Sequence, residues 1–162
     1  MALRAREVSG AFEKRLLGGY FNGQFFHTPF PGPILQRFGH NINILELLAI
    51  MAALQLWGPA LRGKRFIRLE CDNNDSVLAL NSGRSRTLGM QLCLREIWFL
   101  SALHDFDMTA IYIPGRHNTL ADHLSRWQLS PYYEAQFKPL TAHNDTTHLA
   151  CPARCFEFEI HF

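Results

Sequence analysis

The stretch from Arg65 to Val77 reads RFIRLECDNNDSV and decides how the rest of the chain is arranged. Apolar residues occupy alternate positions at Ile67, Leu69 and Cys71, which is the period of one face of a β-strand. The strand runs into the acidic, amide-rich sequence DNND, whose side chains bond nearby backbone and favour a turn. An apolar pattern resumes at Val77, so the stretch predicts a buried strand, a turn and then a helix.

Asp72 therefore falls at the carboxyl end of the predicted strand and faces the start of the next helix. In open α/β sheets, ligands and chemistry collect at this place. The alternative is that Asp72 or Asp75 only caps the helix, since an Asp oxygen accepts hydrogen bonds from the N–H groups of a first turn. This stretch alone leaves both interpretations open.

The composition indicates one globular, intracellular domain. The chain has 162 residues, of which 48% are hydrophobic and 19% charged, and its net charge of +2 permits a nucleic-acid partner only if the basic residues cluster. Its four cysteines show no framework spacing, which predicts reduced thiols and a cytoplasmic or nuclear location. The most apolar stretch, Ile42 to Leu61, contains Glu46 and Pro59, so we expect a buried helix and no membrane partner.

The first part of the chain reads as strands. A strand is predicted at Arg6 to Phe12, followed by a hairpin from Leu16 to Pro29 whose turn is Asn22-Gly23, the strongest short hairpin signal. A loop is predicted from Pro29 to Pro33.

A long helix is then predicted to begin at Asn43. Asn is a good N-cap, and Glu46 stands three residues later, close to the pattern of a capping box. Gly58-Pro59 and Gly63 are predicted to end the helix.

The second half of the chain mixes helices with one more strand. Helices are predicted at Ser76 to Leu80 and Leu88 to His104, a strand at Met108 to Ile113, and a last helix capped by Asn118. The order of elements predicts an α/β fold, a mixed sheet covered by helices. We expect this domain to span residues 1–129, with residues 130–162 as a C-terminal tail that shows no clear element.

Three carboxylates stand at ends of predicted elements: Glu46, Asp72 and Asp122. Carboxylates gathered at one sheet edge suit hard ions such as Mg²⁺, and two such ions can activate water and stabilise the leaving oxygen of a phosphodiester. Each residue also has a plainer interpretation. Glu46 completes a capping box, Asp122 complements a helix dipole, and His117 is a solvated loop histidine.

Three segments in this order carry a resemblance: HNINILELLAIMAAL, LECDNNDSV and YIPGRHNTLADHLSRW. Together they resemble the ribonuclease H domain of retroelement reverse transcriptases, most of all the DIRS-type elements and, behind them, the gypsy-type. The resemblance implies a ribonuclease H-like fold, a five-stranded mixed sheet flanked by helices. It also implies cleavage of the RNA strand of an RNA–DNA hybrid with Mg²⁺ or Mn²⁺, and an origin in a reverse transcriptase polyprotein.

The resemblance assigns catalytic residues by position. Glu46 matches the acid of the family's first helix, Asp72 the acid that ends the fourth strand, and Asp122 the last acid. These three are the expected metal ligands and, with His117 near the family's loop histidine, the expected catalytic residues.

This chain departs from the family's pattern at the first acid, which the family carries on its first strand. The spacing from Gly18-Gly19 places this acid near Gly10, where no acid stands. The local sequence Glu7-Val8-Ser9 favours Glu7 instead. A third alternative is that the true first strand is missing from this chain. We therefore expect impaired hydrolysis, and an inactive nucleic-acid-binding relic or a DNA nuclease of the same fold are the alternative functions.

Two further sets of side chains are candidate binding residues. Arg84 and Arg86 lie in a polar loop and are expected to contact phosphates. The predicted nucleic-acid-binding set also includes Asn73 and Arg116. Separately, a zinc site near the C-terminus is an alternative, although its spacing matches no common module; its ligands would be His148, Cys151, Cys155 and His161.

Overall fold

A computed structural model of the chain describes residues 1–6, 16–64 and 66–157. These residues form a mixed sheet with helices on both faces, which confirms the predicted α/β class. The strands are β1 Ala2–Arg6, β2 Leu16–Phe21, β3 Gln24–Pro29, β4 Ile67–Cys71, β5 Met108–Tyr112 and β6 Thr147–His148. The helices are α1 Gly32–Phe38, α2 Ile42–Leu61, α3 Asn74–Ser82, α4 Leu88–Leu103, α5 Thr119–Arg126 and α6 Pro131–Leu140.

The sheet has the strand order β5-β4-β1-β2-β3-β6. Strands β1, β2 and β3 are antiparallel neighbours, whereas β4 runs parallel to both β1 and β5. The sheet differs from the expected count of five because the short β6 adds to the outer edge of β3. Since β4 and β5 are parallel, their carboxyl ends meet at one edge of the sheet.

The β2–β3 hairpin confirms the prediction made from its turn. Asn22 and Gly23 both have positive φ, 49° and 78°, as a type I′ turn requires. The first strand differs from its prediction, since β1 ends at Arg6, where the predicted strand begins. Residues 7–12 of that prediction lie outside the described part of the chain.

The start of α1 corrects the predicted loop. Gly32 and Pro33 are the first residues of this helix instead of loop residues. A proline fits there because the first-turn N–H groups of a helix have no intrahelical partner, and its fixed φ suits the helix.

The start of α2 corrects the predicted N-cap. Asn41 is the cap, and its Oδ1 accepts hydrogen bonds from the backbone N–H groups of Asn43 at 3.1 Å and Ile44 at 3.3 Å. Asn43 is thus already inside the helix, and Glu46 stands too far along to close a capping box. The interpretation of Glu46 as a capping residue is therefore wrong.

The far end of α2 also differs from its prediction. The helix continues through Gly58 and Pro59 to Leu61, where buried Trp57 and Leu61 anchor its last turn in the core. By length and composition α2 is apolar enough to cross a membrane, since an 18-residue window of it has a mean hydropathy of 1.7, yet 78% of that window is buried inside the fold.

The two faces of the sheet carry separate cores. Helices α2 and α4 pack together over the main core, which includes Leu17 and Phe26. Helix α5 lies on the other face, where Leu124 and Phe137 pack against Phe25 in a smaller cluster. Neighbouring residues of β3 thus point into different cores, as the alternation of a strand requires.

The segment after Ser130 contains elements that the sequence did not predict. The side chain of Ser130 caps α6, and α6 packs on α5. Strand β6 extends the sheet, and a 3-10 turn at Ala153–Phe156 packs on α2. The segment is therefore joined to the domain through both faces of the sheet.

Candidate metal centre

Two of the three predicted acids lie together at the carboxyl end of β4. One carboxylate oxygen each from Glu46 and Asp72 and the sulfur of Cys71 lie within 4.8 Å of one another. The Cys71 thiol donates to Glu46 Oε2 at 3.9 Å. Glu46 is 3% exposed and Cys71 is fully buried, whereas Asp72 is half-buried. The cluster therefore combines a buried thiol and a buried carboxyl group with a half-buried one.

Local structure explains how these side chains meet. Cys71 is the last residue of β4, so Asp72 follows where the strand leaves the sheet. Glu46 lies on the second turn of α2, whose residues from Ile44 to Leu54 are all buried. The burial of that helix on the sheet fixes the position of the Glu46 carboxylate over the end of β4.

A polar network beside the cluster ties α2 to α3. Asn73 caps α3, since its Oδ1 accepts from Ser76 N at 3.0 Å, and its Nδ2 donates to Asn43 Oδ1 at 2.7 Å. The Asn43 amide then donates to Asp75 Oδ2 at 3.0 Å, and the Ser76 hydroxyl donates to the Asn43 carbonyl at 3.3 Å. These bonds hold the segment after Asp72 against the helix that carries Glu46.

The same network decides which residue caps α3. The cap is Asn73, so the interpretation of Asp72 or Asp75 as the capping side chain is wrong. Asn73 was expected to bind nucleic acid. In the structure both ends of its amide are engaged with protein groups, and its binding role stays a prediction.

Asp122 lies on α5, and the structure does not bring it into the cluster. Its Oδ1 forms an ion pair with Arg126 Nη2 at 3.0 Å, one turn along the helix. Within residues 1–6, 16–64 and 66–157, no metal-binding group of three includes Asp122. The helix does start from the same edge, since β5 ends beside Cys71 and Ile113 N donates to the Cys71 carbonyl at 3.0 Å.

The other predicted residues lie on loops. His117 and Arg116 are exposed in the loop before α5, with Arg116 Nε donating to His117 Nε2 at 3.4 Å. Arg84 and Arg86 are exposed in the loop between α3 and α4. Exposure is what phosphate contacts require, but it does not by itself identify a binding surface.

The donor set fits one hard divalent ion. Mg²⁺ is usually held by one or two carboxylates and keeps several waters, which matches the buried Glu46 and the half-buried Asp72. The Cys71 sulfur is a soft ligand and adds nothing for Mg²⁺. Strand β1 has the sequence ALRAR, so it supplies no carboxylate to this edge.

The interpretation of the sequence did not include Cys71 in the cluster. It was assigned to the buried face of a strand, which is correct, but its contact with Glu46 depends on how α2 crosses β4. Its position next to Asp72, at the last residue of a strand, was the available signal.

The C-terminal zinc alternative gains no support. The ring of His148 stacks on His27, with centroids 4.6 Å apart. His148, Cys151 and Cys155 do not form a metal-binding group in the part of the chain that is described, and His161 lies outside it.

Two comparisons with known proteins found no match. No protein-family model matches the chain, and no curated protein sequence matches it either. A function for this chain therefore rests on its motifs and on the geometry of its residues.

Proposed function

We propose that this chain is a ribonuclease H-like domain of retroelement origin that binds RNA–DNA hybrids and hydrolyses their RNA strand slowly. The reaction takes place at the edge where β4 and β5 end. The observation that carries the proposal is the meeting of Glu46 and Asp72 at that edge, because the motif resemblance had named these two residues as metal ligands. The two acids are 26 positions apart in the sequence, on a helix and after a strand.

The arrangement of the sheet supports the proposed fold. Apart from the two-residue β6, it is a five-stranded mixed sheet with two antiparallel and two parallel strand pairs, flanked by helices on both faces. This is the architecture that the resemblance implies. Asp122, the third acid of the resemblance, is on a helix that leaves the same edge of the sheet.

Glu46 and Asp72 would hold the ion, Mg²⁺ or Mn²⁺, through one carboxylate oxygen each. When bound, such an ion activates a water and neutralises charge on the phosphodiester. Glu46 would bind from a buried position and Asp72 from a half-buried one. Exposed Arg84, Arg86 and Arg116 are the proposed phosphate contacts, which position a duplex without reading its sequence.

We infer the position of the missing first acid from the backbone register. Ala2 pairs in parallel with Glu70, so Arg4 stands level with Asp72 on the neighbouring strand. With no acid at that position, the proposed cluster has two carboxylates, Glu46 and Asp72, which are too few for two ions. Slow hydrolysis is the expected consequence. The earlier candidates, Glu7 and Gly10, lie outside the described residues.

The same observation favours a second candidate, a relic that binds hybrid without hydrolysing it. A site without the first acid has reduced affinity for divalent ions, while the proposed phosphate contacts on the loops are retained. The two candidates differ in whether the remaining acids still bind an ion.

A measurement of Mn²⁺ binding separates the two candidates. Binding is monitored by electron paramagnetic resonance, in which the signal of free Mn²⁺ decreases as the ion binds. Glu46→Gln keeps the shape of the side chain and removes its charge, and we expect a fall in Mn²⁺ affinity of roughly tenfold or more, about 1.4 kcal/mol. Glu134→Gln, on α6 in a surface ion pair with Lys138, is the matched control and should leave the affinity unchanged.

Hybrid binding is measured in parallel by fluorescence anisotropy against duplex DNA of the same length. Tighter binding of hybrid together with Glu46-dependent Mn²⁺ binding supports the first candidate. Hybrid binding without Mn²⁺ binding supports the relic. Equal binding of hybrid and duplex DNA would overturn both.

A further inference from the structure

Asp122 forms an ion pair with a cation of its own helix. Arg126, one turn further along α5, donates from Nη2 to Asp122 Oδ1 at 3.0 Å. The side chain of Arg126 is 24% exposed and that of Asp122 is 15% exposed, so solvent and salt screen this pair less than they screen a pair at the surface. Hydrogen bonds between charged groups are also about twice as strong as those between neutral groups. One carboxylate oxygen of Asp122 is therefore engaged by the guanidinium.

Tyr133, on α6, holds the other side of the same guanidinium. Arg126 Nη1 donates to the Tyr133 hydroxyl at 3.3 Å, and Arg126 Cζ lies over the Tyr133 ring, 5.4 Å from its centroid. The Tyr133 N–H donates to the Ser130 carbonyl at 3.1 Å, which fixes the first turn of α6, and α6 packs on α5. A chain of contacts thus runs from the segment after Ser130 through Arg126 to Asp122.

The position of α5 relates this pair to the candidate metal centre. Helix α5 packs on β1 and β2, on the face of the sheet opposite α2, and β1 is a neighbour of β4. Asp122 stands in the first turn of α5, and the loop before this helix leaves β5 beside Cys71. The helices that carry Glu46 and Asp122 therefore cover opposite faces of the sheet. Of these two acids, only Glu46 belongs to the cluster found among the described residues.

We propose that Arg126 is a positioning residue that keeps Asp122 out of the metal centre, and that Tyr133 fixes Arg126 in this role. This role rests on the proposed function, in which Glu46 and Asp72 hold Mg²⁺ or Mn²⁺. A carboxylate oxygen that accepts from a guanidinium has fewer lone pairs to offer an ion, and the positive charge of the guanidinium repels a divalent cation. Release of Arg126 would give the centre a third carboxylate, and the affinity of such sites rises with the number of charged ligands.

The test measures Mn²⁺ affinity from the electron paramagnetic resonance signal of the free ion. Arg126→Met keeps an unbranched side chain and removes its charge. We expect the affinity to rise roughly tenfold, the lower end of the range over which groups that hold metal ligands change metal affinity. Arg126→Lys keeps a cation one turn from Asp122 and should leave the affinity close to that of the unmodified chain. Lys138→Met, which breaks the surface pair with Glu134, is the matched control for the loss of one positive charge and should have no effect.

A second substitution, Asp122→Asn, identifies the ligand that is gained. In the unmodified chain it should change the Mn²⁺ affinity little, because Asp122 is kept from the ion there. In Arg126→Met the same substitution should remove the whole gain. The inference is overturned if Arg126→Met brings no gain, or if the gain survives Asp122→Asn, since the lost charge would then act without Asp122.

Tyr133→Phe tests the contact from α6 and keeps both charges of the ion pair. It removes a hydroxyl group that Arg126 bonds, and should raise the Mn²⁺ affinity by a smaller factor than Arg126→Met, also where Arg126→Met does not fold. An unchanged affinity in a folded Tyr133→Phe protein would show that α6 does not act on the site.

Glu46→Gln distinguishes a failure of this inference from a failure of the proposed function. If Glu46→Gln leaves the Mn²⁺ affinity unchanged, the proposed metal centre is wrong and the role of Arg126 falls with it. If Glu46→Gln lowers the affinity but Arg126→Met does not raise it, the metal centre stands and only the role of Arg126 is wrong.

Discussion

Gly18 marks the closest approach between the sheet and α5, and its replacement by Ala tests how that helix is placed. A Cβ built at Gly18 would lie 2.5 Å from Leu124 Cβ, 2.8 Å from the Leu124 carbonyl carbon and 2.8 Å from Ser125 N. Since two of these three atoms belong to the backbone, no change of rotamer relieves the overlap. In Gly18→Ala the helix must move away from β2, and Asp122 moves with it.

The cost follows from the overlap and the packing that is lost. Forcing a methyl group into a packed site costs about 1–3 kcal/mol, and the upper part of that range applies where backbone must shift. Moving α5 also loosens Leu124 from Phe25 and Phe137. Ala in place of Gly within a strand returns about 0.5–1 kcal/mol. We expect a net loss of about 2 kcal/mol in the free energy of unfolding.

Urea denaturation measures this change. With a slope of about 2 kcal/mol per molar urea, the midpoint of Gly18→Ala should fall by about 1 M. Gly32→Ala is the matched control, because a Cβ at Gly32 meets nothing within 4 Å. Its midpoint should stay the same or rise slightly, since Ala restricts the unfolded chain. Midpoints for the two variants that agree within about 0.2 M would refute the described packing of α5 on β2.

Two other predictions concern the cap of α2 and the pH dependence of stability. Asn41→Ala should lower the free energy of unfolding by about 1 kcal/mol, as loss of an N-cap does, while Asn41→Asp keeps an acceptor and should cost little; equal losses would contradict the assignment of the cap. Burial, with a smaller effect of the neighbouring His148, lowers the pKa of His27 from 6.5 to about 4, and Glu134 opposes this shift. The unfolded chain therefore binds more protons between these values, so stability should fall as the pH is lowered from 6.5 to 4 and lose no more from this group below that. His27→Phe keeps the stacked ring and should reduce the fall between pH 7 and pH 5 in urea titrations, and an equal fall in both proteins would contradict this.

Local signals made part of the fold predictable. The hairpin followed from Asn22-Gly23 because a type I′ turn requires two consecutive residues that tolerate positive φ. Strand β4 followed from alternation, since Ile67, Leu69 and Cys71 are all buried while Arg68 is exposed.

Helix starts were less predictable because more than one residue satisfied the same rule. Asn41 and Asn43 are both suitable caps, and Glu46 favoured Asn43 by completing the spacing of a capping box. Tertiary contacts decide between them, because the Asn43 side chain bonds Asn73 and Asp75 across the site.

The candidate site was predictable where element ends are visible in the sequence. Glu46 and Asp72 were predicted to lie together because each stands near the end of a predicted element, and in the structure they do. The contact of Cys71 with Glu46 depends on the crossing of α2 over β4, which no local pattern encodes. Which residue of β1 stands level with Asp72 depends on the pairing between β1 and β4, which are more than 60 residues apart.

The central claim is that this chain has a ribonuclease H-type site that lacks one acid, and restoring that acid tests it most directly. The measurement is single-turnover cleavage of a labelled RNA–DNA hybrid in Mg²⁺ by the unmodified chain, by Arg4→Asp, and by Arg4→Asp combined with Asp72→Asn. Arg4→Asp places a carboxylate level with Asp72 and should raise the rate by roughly tenfold or more, about 1.4 kcal/mol of barrier. Adding Asp72→Asn should abolish the gain. A folded Arg4→Asp protein that binds hybrid but cleaves it no faster, or rapid cleavage that survives Asp72→Asn, would contradict the account.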